Sequence, residues 1–402
     1  MKVALVSEHA SPLAALGGAD AGGQNVHVGA LARELVRQGH SVVVHTRRDD
    51  PSLPRRLAVG GVIIDHVDAG PPTALPKDEL LPWMGDFAAD LQTVWQKQRP
   101  DVVHAHFWMS GLAAAQAARP LGIPVIETFH ALGSVKRRHQ GDADTSPPDR
   151  IPIERWLLQA VDRVIATCGD EVHELSRLGA RQESISVIPC GVDRSTFNPC
   201  GASWPRHRTH RLAAVGRLVK RKGVADAIES LHWLPDTELV VAGGPPAEEL
   251  AADPEAKRLA EVALRADVSE RVKLVGQVSR RDVPGLLRSA DAVVSVPYYE
   301  PFGIVPIEAM ACGVPAVVSR VGGLQESVVD GVTGCHVPAD DPRTLAEVLS
   351  GLLADPQRCH RLARAGIQRA ERYDWRHVTA QTVAVYEEVA TRTPVMTVAG
   401  SP

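Results

Sequence analysis

Short apolar runs rich in valine recur along the chain, without the apolar–polar alternation of a strand that faces water on one side. Such runs are buried on both faces, as in a parallel sheet covered by helices. In the first half they fall at residues 2–7, 41–46, 62–67, 101–105, 125–129, 163–167 and 185–188, separated by stretches of helical character. That alternation predicts a doubly wound parallel sheet. A second series begins after the Pro- and Gly-bearing segment 199–210, with strands expected at 211–215, 238–243, 272–275, 292–296 and 316–319. The domain boundary is therefore placed there, between a first domain of residues 1–198 and a second of 211–374. Two Rossmann-like α/β domains facing across a cleft would bring motifs from both halves to one site, at the carboxyl ends of the strands. Residues 394–402 read as a frayed tail.

The strand at 292–296 runs into the most informative stretch, YYEPFGIVPIEAMACGVPAVVS, where Glu300 and Glu308 stand eight residues apart. Pro306 suits the first turn of a helix, which continues through Cys312 until Gly313 and Pro315 stop it. The amides of Gly303, Ile304 and Val305 then face outward at a helix N-terminus, which attracts phosphate. Two carboxylates beside an anion site point to a sugar nucleotide, because carboxylates accept hydrogen bonds and hydroxyls supply them. One acid would take hydroxyls of a transferred sugar and the other those of the ribose. Arg217 and Lys222, which follow the strand at 211–215, suit a diphosphate, the first by its planar fork and the second as a point charge. Lys220 and Arg221 read as a solvated basic turn. The glycine-rich segment before the first helix, with Gly22, Gly23 and Asn25, fits a phosphate-binding loop, an ordinary turn or a dinucleotide loop. No clean G-x-G-x-x-G follows the first strand. Long loops such as the one from Glu8 to Gly23 commonly serve as lids or binding segments.

Composition narrows the field. At 402 residues and 44% apolar content the chain can fill two cores, and a net charge of −4 gives no reason to expect nucleic acid. Six cysteines show neither metal-ligand spacing nor the density of a disulfide scaffold, so a reducing cytoplasm is expected. The N-terminus opens on a strand rather than a signal peptide, and no apolar run approaches a membrane span. Peripheral membrane association and homo-oligomerisation stay open.

The segment around Glu300 and Glu308 closely resembles the nucleotide-sugar motif of retaining glycosyltransferases of the GT-B fold. The family in question, glycosyltransferase family 4, includes sucrose synthase, sucrose-phosphate synthase and the inositol-phosphate glycosyltransferase of the mycothiol pathway. GGADAGGQNVHVGALARELVRQGHSVVVHTRR, VVHAHFWMSG, ETFHALGSVKRR and AAVGRLVKRKGVADAIESL are similar to further family segments, in the expected order. The resemblance implies donor contacts at Gly22, Gly23, Gly216, Phe302, Gly303, Ile304, Val305 and Glu308, and a catalytic set of His130, Arg217, Lys222 and Glu300. It places His130 beside the transferred sugar, where ring or carbonyl holds the C6 hydroxyl. It also implies a crossing helix at about 375–390 that returns to the first domain. The implied mechanism is front-face substitution with retention, the departing phosphate helping to deprotonate the acceptor hydroxyl, with no obligatory metal or cofactor. Asp142 and Asp144, an Asp-x-Asp pair, are accordingly read as loop.

On the acceptor side the resemblance implies contacts from Asn25, Lys77, Trp108, Lys136 and Arg150. Lys77, Lys136 and Arg150 match basic positions that contact an acceptor phosphate in the inositol-phosphate branch. That branch, however, has tyrosine at Phe107 and threonine at Ala131. The expected acceptor is a sugar, a cyclitol or a phosphorylated relative. Trp108 offers either an apolar face for a sugar ring or a core contact. His104, His106 and His139 have no assignment. UDP is favoured over GDP because the GGADAGGQN loop resembles the UDP-sugar branches. A nucleotide-sugar epimerase and a noncatalytic nucleotide-sugar-binding module are the alternatives.

Overall fold

In the computed structural model the described residues are 1–9, 11 and 22–391. Most of the GGADAGGQN loop and the tail at 394–402 lie outside them. All seven strands expected in the first half form: β1 (Lys2–Val6), β2 (Ser41–Arg47), β4 (Val62–Val67), β5 (Val102–His106), β6 (Val125–Thr128), β7 (Arg163–Ala166) and β8 (Ile185–Val187). They lie in the order β3-β4-β2-β1-β5-β6-β7-β8. Pairing is parallel throughout except for β3 (Arg56–Val59), an antiparallel edge strand absent from the sequence reading. All four of its residues are exposed, and its apolar stretch is only the three residues Leu57-Ala58-Val59. Its signal is the turn, Gly60-Gly61, where both glycines take positive φ (58° and 85°) as a tight hairpin requires.

The second sheet runs β11-β10-β9-β12-β13-β14, all parallel. Its members are β9 (His210–Val215), β10 (Thr237–Ala242), β11 (Val272–Gly276), β12 (Ala292–Ser295), β13 (Ala316–Ser319) and β14 (Gly334–Val337). The sequence reading missed β14, whose four residues include a glycine and a histidine and so break the apolar run. Strand β10 is buried along its whole length, and after Thr237 and Glu238 it reads as the apolar run 239–242.

Strand order reverses between β1 and β5 in one sheet and between β9 and β12 in the other, and loops at these carboxyl ends meet across the cleft. The last helix, Trp375–Thr391, packs on the first sheet. Its Trp375, Val378, Val385, Tyr386 and Val389 share an apolar cluster with Val3, Leu5, Leu31 and Val44. Fully burying each such side chain is worth about 1.5–3 kcal/mol. Tyr386 Oη also lies 2.7 Å from His104 Nδ1, and Arg163 pairs with Glu388. Opposite this tie, the domains touch where the Gly169 amide donates to Glu326 Oε1 (2.7 Å) and the His139 ring stacks on Tyr299 at 4.8 Å. All six cysteines are free thiols.

Candidate active site

A cavity of about 360 Å³ opens between the carboxyl ends of the two sheets. One wall comes from the first domain, with His9, Gln24, Asn25, Lys77, Phe107 and His130, and the other from loops that follow β9, β10, β11 and β12. The second wall depends on close backbone approach. A Cβ on Gly243 (φ 137°) would fall 1.8 Å from the Gly216 carbonyl oxygen, so the ends of β9 and β10 meet only through glycine.

Arg217, Arg221 and Lys222 gather in this wall around Glu300. Lys222 Nζ donates to Glu300 Oε2, and Arg221 Nη1 lies 3.7 Å from the same oxygen while donating to the Tyr299 carbonyl at 3.0 Å. Arg221 is therefore not the solvated turn residue expected from sequence; Lys220 is exposed, but Arg221 borders the cavity. Burial pushes the Glu300 carboxyl up, yet Lys222, Arg221 and Arg217 outweigh it and hold the group below its ordinary value. The Lys222 ammonium is pulled down, first by burial and then by its two arginine neighbours, against the attraction of Glu300. One carboxylate thus faces three cations, leaving the pocket net positive.

Beside this group the helix Ile304–Ala311 begins with Gly303 at its N-cap (φ 83°), two to three residues before the start expected at Pro306. Gly303, Ile304 and Val305 all border the cavity, as do Phe302 and Glu308. Glu308 is fully buried. Its Oε1 accepts from Arg280 Nη2, and its Oε2 is a buried acceptor with no donor among the described residues. Arg280 in turn lies over the Phe197 ring, 4.4 Å from the centroid. The sequence reading missed Arg280, together with Gln277 and Val278, although all three follow β11 at the cleft end of the sheet.

In the first domain the helix Gly23–Arg37 starts at Gly23, earlier than the Asn25 start expected, with Gly22 as N-cap. Gly22 and Gly23 border the cavity. Among the described residues no atom lies within 4 Å of a Cβ placed on Gly22, so none of them demands glycine there. Asn25 is committed locally: its Oδ1 accepts from the Gly22 amide and its Nδ2 donates to the Ser11 carbonyl, both at 3.0 Å.

Phe107 (φ 86°) and His130 (φ 59°) both hold positive φ, conformations that cost non-glycine residues about 1–3 kcal/mol and cluster at functional sites. His130 Nε2 lies 3.0 Å from His106 Nδ1. Their rings join those of His27 and His104 in a buried group with centroid separations of 4.2–5.5 Å. Burial holds His106 and His130 well below the ordinary histidine value, and holds His27 at about 4 and His104 at about 3. His130 therefore meets a ligand as a neutral ring.

The remaining acceptor-side candidates divide. Lys77 borders the cavity. Trp108 is 1% exposed within the first apolar cluster, which makes it a core residue. Lys136 and Arg150 do not border the cavity. Lys136 pairs with Asp144 at 2.9 Å, and Arg150 with Glu154 at 2.8 Å. Asp144 lies in a loop, as expected, and its carboxylate is the partner of that lysine. Among the described residues no group of three or more His, Cys, Asp or Glu side chains is placed to hold a metal ion, and no helix is long and apolar enough to cross a membrane.

Paired Rossmann-like domains enclosing a cation-rich cavity at a helix N-terminus are the architecture of a GT-B glycosyltransferase. A model of glycosyltransferase family 4 matches residues 21–196, and one of glycosyl transferases group 1 matches residues 205–369. D-inositol 3-phosphate glycosyltransferase 1 of Catenulispora acidiphila is 36% identical, over 96% of this chain and 95% of that protein. The D-inositol 3-phosphate glycosyltransferase of Xylanimonas cellulosilytica is 35% identical over 98% of both chains. Among solved structures, sucrose-phosphate synthase of Thermosynechococcus elongatus matches with a TM-score of 0.89 at 29% identity, over 96% of this chain and 98% of that one. The chain belongs to glycosyltransferase family 4, and it is a glycosyltransferase of the GT-B fold.

Proposed function

We propose that this enzyme is a retaining hexosyltransferase (EC 2.4.1). It moves a hexosyl or N-acetylhexosaminyl group from a nucleotide diphosphate sugar, UDP favoured over GDP, to a hydroxyl of a sugar, a cyclitol or a phosphorylated small molecule. The supporting observation is the joining in one cavity of Arg217, Arg221 and Lys222 with the helix terminus at Gly303–Val305 and two glutamates. Cations and helix amides suit the diphosphate, whose charge grows as the sugar departs. The Oε2 of Glu308, without a donor among the described residues, suits a ribose hydroxyl, and Glu300, ionised beside Lys222, suits hydroxyls of the transferred sugar.

In the proposed step the bond from the anomeric carbon to the β-phosphate oxygen breaks with its electrons leaving on the phosphate. The acceptor oxygen bonds to the same face, and its proton passes to that phosphate oxygen. Neither glutamate needs to form a covalent intermediate. The basic groups Arg217 and Lys222 stabilise the leaving charge, while neutral His130 orients the sugar. With six free thiols and no membrane-spanning helix among the described residues, we place the reaction in the cytoplasm.

Thermal-shift measurements with UDP, GDP, UDP-glucose, UDP-N-acetylglucosamine and GDP-mannose test the donor half, because a ligand that binds only the native state raises its melting temperature. Stabilisation by one base, lost in Lys222→Ala, is expected. No shift with any nucleotide removes the reading. Nucleotide release that depends on an added acceptor then separates transfer from epimerisation or simple binding.

A further inference from the structure

Two of the three cations that the family resemblance assigns to an acceptor phosphate are consumed inside the protein. Arg150 is 3% exposed, and each end of its guanidinium is taken: Nε donates to Glu154 Oε1 (2.8 Å), Nη1 to Ser146 Oγ (3.2 Å) and Nη2 to the Ala131 carbonyl (2.6 Å). Glu154 is fully buried and also accepts the Gly133 amide at 2.9 Å with each oxygen. The site is shaped around this arginine, since a Cβ on Gly133 would lie 2.9 Å from Arg150 Nε. The Phe107 ring, which borders the cavity, lies 5.1 Å from the guanidinium carbon. Drawing Arg150 out to a ligand would abandon a buried carboxylate, which is strongly unfavourable. Lys136 is held likewise by Asp144 (2.9 Å) and Ser146 Oγ (2.8 Å), with Asp78 at 3.7 Å.

Around Lys77 the acceptor wall presents uncharged groups: the Phe107 ring, the Ala131 methyl and a His130 imidazole held neutral by burial. Lys77 alone of the three cations borders the cavity. Of these three cations a phosphate dianion here would meet only Lys77, and it would sit beside the donor diphosphate, whose charge Arg217, Arg221 and Lys222 already serve.

Building on the transferase reading, we infer that the acceptor is an uncharged polyhydroxylated ring, a sugar or cyclitol without a phosphate. Arg150 and Lys136 are positioning residues: they fix the Ala131 carbonyl and the Gly133 turn next to His130 and do not touch the acceptor.

The test uses the full chain with the donor that stabilises it, and reads nucleotide release with paired acceptors: myo-inositol and inositol 3-phosphate, glucose and glucose 6-phosphate, fructose and fructose 6-phosphate. The neutral member of the productive pair is expected to have a kcat/KM at least about tenfold higher. Preference for the phosphorylated member overturns the inference. If no pair turns over, melting temperatures of the nucleotide-saturated protein decide. A phosphate-dependent rise overturns the inference, and its absence supports it. Arg150→Lys and Lys136→Gln are expected to lower kcat while leaving the neutral-to-phosphorylated KM ratio unchanged. A KM rise confined to phosphorylated acceptors overturns the positioning role. Should Arg150→Lys not fold, Lys136→Gln and Ser146→Ala, which strips a partner from both cations, carry the comparison. Failure of the transferase reading is distinct, because it removes nucleotide binding itself.

Discussion

Lys222 and Glu300 are each other's nearest charged partner and both face the cavity, so replacing either alters chemistry more than packing. Lys222→Ala and Glu300→Gln are expected to lower kcat by about two to three orders of magnitude. Because they act as one unit, the double variant should lose little more than the worse single one. Steady-state rates with a melting-temperature control check this, and fully multiplicative losses would show that the two act independently. Glu308 makes a different contribution. Glu308→Gln keeps an acceptor but removes the charge that Arg280 pairs with, and nucleotide diphosphate affinity should fall by about 10- to 100-fold, the worth of a charge-assisted hydrogen bond. Calorimetric titration reads this directly, and an unchanged affinity would exclude the ribose role. At this scale the motif names Glu300, Glu308, Arg217 and Lys222, and all four border the cavity. Sequence reading set Arg221 aside as solvated and missed Arg280, since neither tells from its neighbours that a strand end three-dimensionally removed will enclose it.

The strands were legible where burial on both faces left an apolar run, as at residues 239–242 of β10. Exposed β3 offers only Leu57-Ala58-Val59 and is marked better by the Gly60-Gly61 turn, and the glycine-led β14 is broken by His336. Helix starts were displaced for a related reason. Pro306 and Asn25 are first-turn residues, each the third residue of a helix capped by a glycine, Gly303 or Gly22, that a residue-type argument ranks below Asn or Ser. Gly303 bears the greater constraint. At φ 83° a Cβ would approach Leu324 Cδ2 to 2.3 Å, so Gly303→Ala combines backbone strain with a clash. It should destabilise the protein by about 1–3 kcal/mol in chemical denaturation. It should also weaken nucleotide binding by turning the Ile304 and Val305 amides. A variant with normal stability and affinity would show that the helix terminus tolerates the shift and does not seat the phosphate.

At the scale of the molecule, the terminal helix, β5, β6 and the first helix converge on four histidines, and this seam ties stability to pH. His27 sits against Trp375 of the terminal helix (ring centroids 5.1 Å apart) and against His106 and His130, with no charged partner contributing to its shift. Burial lowers its folded-state value to about 4 against 6.5 in the unfolded chain. The sign follows: above pH 6.5 neither state holds the proton, and below it only the unfolded chain does, so stability falls with pH until about 4. The slope is about 1.4 kcal/mol per pH unit. His104, His106 and His130 act in the same direction. Buried Glu127, Glu154 and Glu171, whose values burial raises, act in the opposite one as they protonate, so the total slope is not that of the histidines alone. A difference measurement isolates one ring. His27 Nδ1 has no hydrogen-bond partner among the described residues, and phenylalanine preserves its edge contact with Trp375 while removing the titration. The stability of His27→Phe relative to the native chain should therefore rise by about 2 kcal/mol between pH 6.5 and 5, whatever its sign at neutral pH. Denaturant unfolding at the two pH values supplies the number. A difference that does not change with pH would mean that His27 takes up its proton within the fold, and that the seam between the terminal helix and the first sheet is open to water.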